Sequence, residues 1–198
     1  MVKPFNIEKT RTALIVIDLQ KGIIARETQP YPTKLVIENT SQLLNAFRKN
    51  NMAVFLVRVS SSFDSKDRLN PITDITWSAG GTQMPANWSE IVPELGFIDT
   101  DFLITKKQWG AFYGTELDLQ LRRRNINNIV LCGISTNIGV ESTARFAYEY
   151  GYNQIFVEDS MSSQSKEEHE NTIQKIFPRI GLVRTTKEIL DVINKETL

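Results

Sequence analysis

Six short apolar runs recur along the chain, separated by longer segments with helical periodicity, and this alternation restricts the fold more than any other feature. The runs are "TALIVI" (Thr12 to Ile17), "AVFLVRV" (Ala53 to Val59), "FLIT" (Phe102 to Thr105), "NIVLC" (Asn128 to Cys132), "QIFVE" (Gln154 to Glu158) and "LVRT" (Leu182 to Thr185). Strands that alternate with helices predict βαβ units and a mostly parallel sheet. Several runs are almost continuously apolar, as strands covered on both faces should be. A helix is expected from about Thr33, because Val36, Leu43, Leu44 and Phe47 share one face. Ser165 with Glu168, and Thr185 with Glu188, fit the capping box that opens a helix. A further helix is expected near Thr115, ending in Arg122, Arg123 and Arg124, where positive charge suits the helix dipole.

The stretch from Ser60 to Asp99 breaks the pattern. It holds Pro71, Pro85, Pro93, Gly80, Gly81, Trp77 and Trp88 without periodicity, and a connection this long is more often a functional loop or lid than a plain link. The 198 residues are expected to form one domain, 1–198, with a single core. The 23 basic and 23 acidic residues balance, which gives no sign of a polyanionic partner, so neither nucleic acid nor membrane is expected. One cysteine fits a reducing compartment, and no signal peptide or membrane-spanning run is evident, so a cytoplasmic protein is the expectation. A single histidine, His169, cannot provide a multi-histidine metal site.

Ligands of open parallel sheets bind beyond the carboxyl ends of the strands, so the residues there are the candidates for chemistry. The first strand ends in "VIDLQKG", which places Asp18 after an apolar run; a partly desolvated carboxylate has a raised pKa and suits proton transfer, although an aspartate there also fits a loop cap. The third ends in "ITKKQWGAFYGT". Strand alternation turns one of Lys106 and Lys107 inward and the other away, and Trp109, Phe112 and Tyr113 are candidates to wall an apolar pocket. The fourth leads into "LCGISTNIGVESTARFA", where Gly133, Ser135 and Gly139 allow close backbone approach and the following helix would aim free N–H groups at an anion. A tight turn that simply needs small residues reads the same way.

Together "ALIVIDLQKG", "KKQWGAFYGTELDLQLRRR", "IVLCGISTNIGVESTARFAYEYGY" and "EDSMSS" resemble the isochorismatase-like hydrolases, also called cysteine hydrolases, over nearly the whole chain. The match is nearest to small bacterial members with glycine at the nucleophile position. The resemblance implies an α/β three-layer sandwich with a six-stranded, mostly parallel sheet flanked by helices on both faces. It further implies a site in which Asp18 is the acid, Lys106 its partner, and Gly139 stands where the nucleophilic cysteine is usual. Ile134–Ser135 matches a peptide that is usually cis and shapes the oxyanion hole, and Asn137 lies in the same turn. Without a thiolate, thioester chemistry of the nicotinamidase kind is not expected. Isochorismatases also carry glycine there and cleave a vinyl ether, for which an acid suffices; Ser135 and Asn137 depart from their tyrosine and histidine, which leaves the substrate open.

The expected activity is therefore hydrolysis of a small, carboxylated metabolite by non-covalent, Asp18-assisted chemistry. Ile134, Ser135, Asn137, Trp109 and Phe112, with Trp77 or Trp88, are expected to contact the substrate, and no cofactor or metal is expected. The alternative is an inactive member that binds a small molecule or acts as a structural partner. A weaker reading uses Cys132 as the nucleophile, although a cysteine inside a buried strand behaves as a small apolar residue. Away from the site, His169 is expected in surface or interface packing, Glu141 and Arg145 as a helical ion pair, and the family resemblance suggests a homo-oligomer, dimer or tetramer.

Overall fold

The strands and helices follow one another as the alternation requires. The computed structural model describes residues 5–75 and 85–195. Its strands are β1 (Thr12–Ile17), β2 (Ala53–Val59), β3 (Phe102–Lys106), β4 (Asn128–Ile134), β5 (Asn153–Ser162) and β6 (Leu182–Arg184). They form one six-stranded sheet in the order β3-β2-β1-β4-β5-β6, and every neighbouring pair is parallel. All six residues of β1 are buried, because the sheet is covered on both sides. Leu14 and Val16 face one core with α2 (Thr33–Lys49) and α7 (Thr186–Ile193). Ala13, Ile15 and Ile17 face the other, with α3 (Leu117–Arg123) and α4 (Glu141–Glu149). A short α1 (Lys21–Ile24) follows β1, and α5 (Lys166–Asn171) continues through a π turn, Thr172–Ile176, into α6 (Phe177–Ile180). Among the described residues no helix is long and apolar enough to cross a membrane.

The local signals account for most boundaries. Both capping boxes are formed, at Ser165 for α5 and Thr185 for α7. Val36, Leu43, Leu44 and Phe47 make the buried face of α2, and Arg122 and Arg123 lie in the last turn of α3. The expected β5 was too short. Leu131 pairs with Phe156 but Gly133 with Met161, so β5 bulges around Glu158 and Asp159 and then rejoins the sheet. The acidic pair masks this continuation in the sequence.

Strand order reverses between β1 and β4, and there the two backbones come unusually close. Gly133, opposite Ile17, has φ +119°, and a Cβ on it would lie 2.1 Å from the Ile17 carbonyl oxygen. Only glycine fits. The described part of the long connection after β2 carries a 3-10 turn, Pro93–Leu95, and folds back along the end of β1. The Lys21 N–H donates to Glu90 O (2.9 Å), the Gly22 N–H to Trp88 O (2.9 Å) and the Val92 N–H to Leu19 O (3.1 Å). Gln20, fully buried, accepts from the Val59 N–H at 2.8 Å and donates through Nε2 to Val59 O at 3.0 Å and Trp88 O at 3.3 Å, so it ties β2 and the connection to β1.

Gly133→Ala is expected to destabilise the fold by at least about 3 kcal/mol through overpacking and strain, a fall in Tm of roughly 10 °C. Thermal unfolding of the purified variant reads this directly, and a Tm equal to wild type would refute the close approach.

Candidate active site

At the carboxyl edge of the sheet, the junction of β1 and β4 brings three sequence-selected positions together. Asp18 follows β1 with φ +54°, a conformation uncommon for a residue with a side chain, and is 5% exposed. Its N–H donates to Val57 O at 2.9 Å, which fixes the turn against β2. Lys106 ends β3 and is 1% exposed; alternation directs it inward, and its Nζ lies 2.7 Å from Asp18 Oδ2. Lys107 turns the other way and pairs with Asp67 at 2.7 Å. A Cβ placed on Gly139 would stand 3.0 Å from Ile17 Cγ2, 3.1 Å from Asp18 Oδ2 and 3.2 Å from Lys106 Nζ. The glycine faces the ion pair directly.

Burial and the neighbouring ammonium act on Asp18 in opposite senses. Removal from water disfavours the carboxylate, while Lys106 favours it by charge and by hydrogen bond; burial wins and pushes the carboxyl from 3.8 up to about 6. That balance amounts to about 3 kcal/mol against the charged form. Lys106 Nζ also donates to the Trp109 carbonyl at 2.5 Å. An ammonium carries three donors, so one is left for a ligand. Asp18 Oδ1 is buried without a hydrogen-bond partner, and an orphaned carboxyl oxygen in such a place marks where a ligand or water belongs.

The turn after β4 supplies backbone donors. The Ile134–Ser135 peptide is cis, and residues Thr136–Val140 form a π turn leading into α4. The N–H groups of Ile138 and Val140 donate back to Ser135 O, at 3.2 and 3.1 Å. These two are therefore engaged within the turn, whereas Thr136 and Asn137 occupy its first positions, where a helix supplies no partners of its own for the N–H groups. Asn137 Oδ1 accepts from Ser163 Oγ at 2.9 Å, which joins the turn to the end of β5.

Other expected positions fall elsewhere. Phe112 is 4% exposed and packs against Tyr152 in the core and the exposed Tyr150. Trp109 is 59% exposed as a residue, and it is its carbonyl that meets Lys106. Trp88 is half-buried and lies over Gly22, too close for any side chain there; Trp77 lies outside the described residues. Cys132 is buried in β4, and burial pushes its thiol up to about 12. His169 is not a surface residue: it is 3% exposed, its Nδ1 shares a 2.8 Å hydrogen bond with Thr136 Oγ1, and Tyr31 packs edge-on against it. Burial pushes the imidazole down to about 4, so it braces the turn as a neutral ring. Glu141 does pair with Arg145, at 2.8 Å, and also accepts from Thr172 Oγ1 at 2.7 Å. Gln20 and His169 were missed as parts of this framework; neither carries a local pattern, since their partners are distant in sequence.

Known proteins resemble this chain over nearly its whole length. The chain is 52% identical over 191 residues to the uncharacterised isochorismatase family protein YwoC of Bacillus subtilis, a match covering 96% of this chain and 98% of that one. It is 49% identical over 182 residues to YecD of Escherichia coli O157:H7, covering 92% and 96%. A solved isochorismatase family protein from Burkholderia thailandensis superposes with a TM-score of 0.91 at 40% identity, covering 96% of this chain and 98% of that one. Residues 12–188 match the isochorismatase domain, and the chain belongs to the isochorismatase family of hydrolases.

Proposed function

We propose that this hydrolase acts without a covalent intermediate, with Asp18 as the acid, on a small carboxylated molecule that contains an enol ether. The observation that carries this reading is Asp18 itself: buried, held near a pKa of about 6, with one oxygen unpartnered and no side chain at Gly139 to intervene. Protonated Asp18 gives its proton to the enol carbon, and the C=C pair forms the new C–H bond, leaving an oxocarbenium ion. Water adds to the cationic carbon and returns a proton to the Asp18 carboxylate. The hemiketal then collapses to a carbonyl compound and an alcohol, its hydroxyl proton passing to the departing oxygen. Lys106 holds the carboxyl and stabilises it in the ionised step; the turn donors of Thr136 and Asn137 bind negative charge on the substrate. A nicotinamidase-type thioester has no thiol to form on at Gly139.

Asp18→Asn, assayed on isochorismate and other enol ethers, is expected to reduce kcat at least about 100-fold, as loss of a general acid does. Turnover unchanged in the variant excludes Asp18 as the acid, and no turnover of any enol ether by wild type, with binding retained, favours a binding protein. Because the acid form is the active one, kcat/KM should be level below pH about 6 and fall tenfold per unit above it; a rate that rises through that range contradicts the role.

The buried Cys132 is expected to resist a soluble disulfide reagent until the protein unfolds, whereas the thiol of Gly139→Cys, beside Lys106, should react in the folded state. Rapid native labelling of wild type, with loss of activity, would revive Cys132 as the nucleophile.

A further inference from the structure

Thr143 lies in the first turn of α4 and is fully buried, yet its hydroxyl is engaged on both sides. Oγ1 donates to Gly139 O at 2.7 Å and accepts from the Ala111 N–H at 3.1 Å. A threonine that bonds the carbonyl four residues back is common in helices and carries no function by itself. The second bond is different, because it leaves the helix and ends on the segment that follows β3.

That segment also holds Lys106. The Trp109 carbonyl, two residues before Ala111, accepts from Lys106 Nζ. The segment is internally tied: Gln108 Nε2 donates to Gly110 O at 2.9 Å and to Tyr113 O at 2.7 Å, and Thr115 Oγ1 donates to Ala111 O at 2.6 Å. These bonds tie Ala111 and Trp109 into one braced segment. At its other end the Thr143 hydroxyl fixes the carbonyl of Gly139, the residue that faces Asp18 and Lys106. One hydroxyl therefore links the group that orients the lysine to the turn that lines the site. A dry interior makes the link rigid, since neither the Ala111 N–H nor the Gly139 carbonyl can turn to water instead.

We propose that Thr143 is a positioning residue for the Asp18–Lys106 pair, acting through Ala111 and Trp109 on the lysine and through Gly139 on the wall it faces. This rests on the reading of Asp18 and Lys106 as the reacting pair. It places the residue outside the substrate's reach, with its effect on the geometry between acid and ammonium.

The comparison of Thr143 variants needs no substrate. In carbon-detected NMR of the aspartate carboxyls, the Asp18 signal is the one lost in Asp18→Asn, and its titration midpoint is compared between wild type and Thr143 variants. Thr143→Val keeps the shape and removes the hydroxyl; with Lys106 held less firmly, the Asp18 midpoint should rise by about half a unit or more, because a withdrawn cation no longer favours the carboxylate. Thr143→Ser keeps the hydroxyl and should titrate as wild type. Thermal unfolding records the packing cost of each variant separately. An unchanged or lowered midpoint in folded Thr143→Val overturns the proposal, as does a serine variant that moves as far as valine. Should the valine variant not fold, Thr143→Ala is read in the same way. A wild-type midpoint near the ordinary value of about 3.9, with turnover retained in Asp18→Asn, would instead sink the functional reading, and the difference between variants would still judge Thr143.

Discussion

Where β1 meets β4, Gly133 lets the Ile17 carbonyl approach to a distance that no side chain permits, and the rest of the site hangs on that approach. The two strands are neighbours although the chain forms β2 and β3 between them, so the carboxyl ends of the first and fourth strands lie side by side, the place where open parallel sheets bind ligands. Asp18 leaves β1 in a left-handed conformation, and the turn from Ser135 to Val140 leaves β4 directly opposite. Lys106 arrives from the edge strand, two positions away in the sheet, and reaches inward because its place in β3 faces the same layer as Ile15 and Ile17. Buried Gln20 and His169 then fasten the two sides, one to β2 and the long connection, the other to the turn.

The proposed chemistry follows from an electrostatic contest at this junction. A lysine 2.7 Å away would by itself keep an aspartate firmly ionised, but burial outweighs it, and the carboxyl remains able to hold a proton near pH 6. The absence of a side chain at Gly139 matters in the same terms. A cysteine there would press on both members of the pair, whereas glycine leaves this side of the buried pair free of a side chain. In the proposed chemistry, the position that looks like a loss in the sequence is where a substrate would meet the acid.

Much of this was legible in the sequence, and the exceptions have physical causes. Periodicity identified the sheet because β1, β2 and β4 are buried on both faces, and capping boxes marked α5 and α7 because both partners lie three residues apart. The motifs named Asp18, Lys106 and Gly139, and alternation said that only one lysine would point inward. What stayed hidden depends on tertiary contacts. Nothing local distinguishes Phe112, which went into the core beside Tyr152, from Trp109, which stayed exposed while its carbonyl turned to Lys106. His169 meets Thr136 only because α5 packs behind the turn, and the bulge in β5 is set by pairing with β4.

The central claim is that a proton passes from Asp18 to carbon. Hydrolysis of a turned-over enol ether in heavy water tests this most directly, with mass spectrometry locating the label in the carbonyl product. The account predicts one deuterium on the carbon next to the new carbonyl, acquired at the rate of turnover and ahead of any exchange by free product. A product formed at full rate with that carbon unlabelled would contradict it, because the bond would then have broken without protonation at carbon.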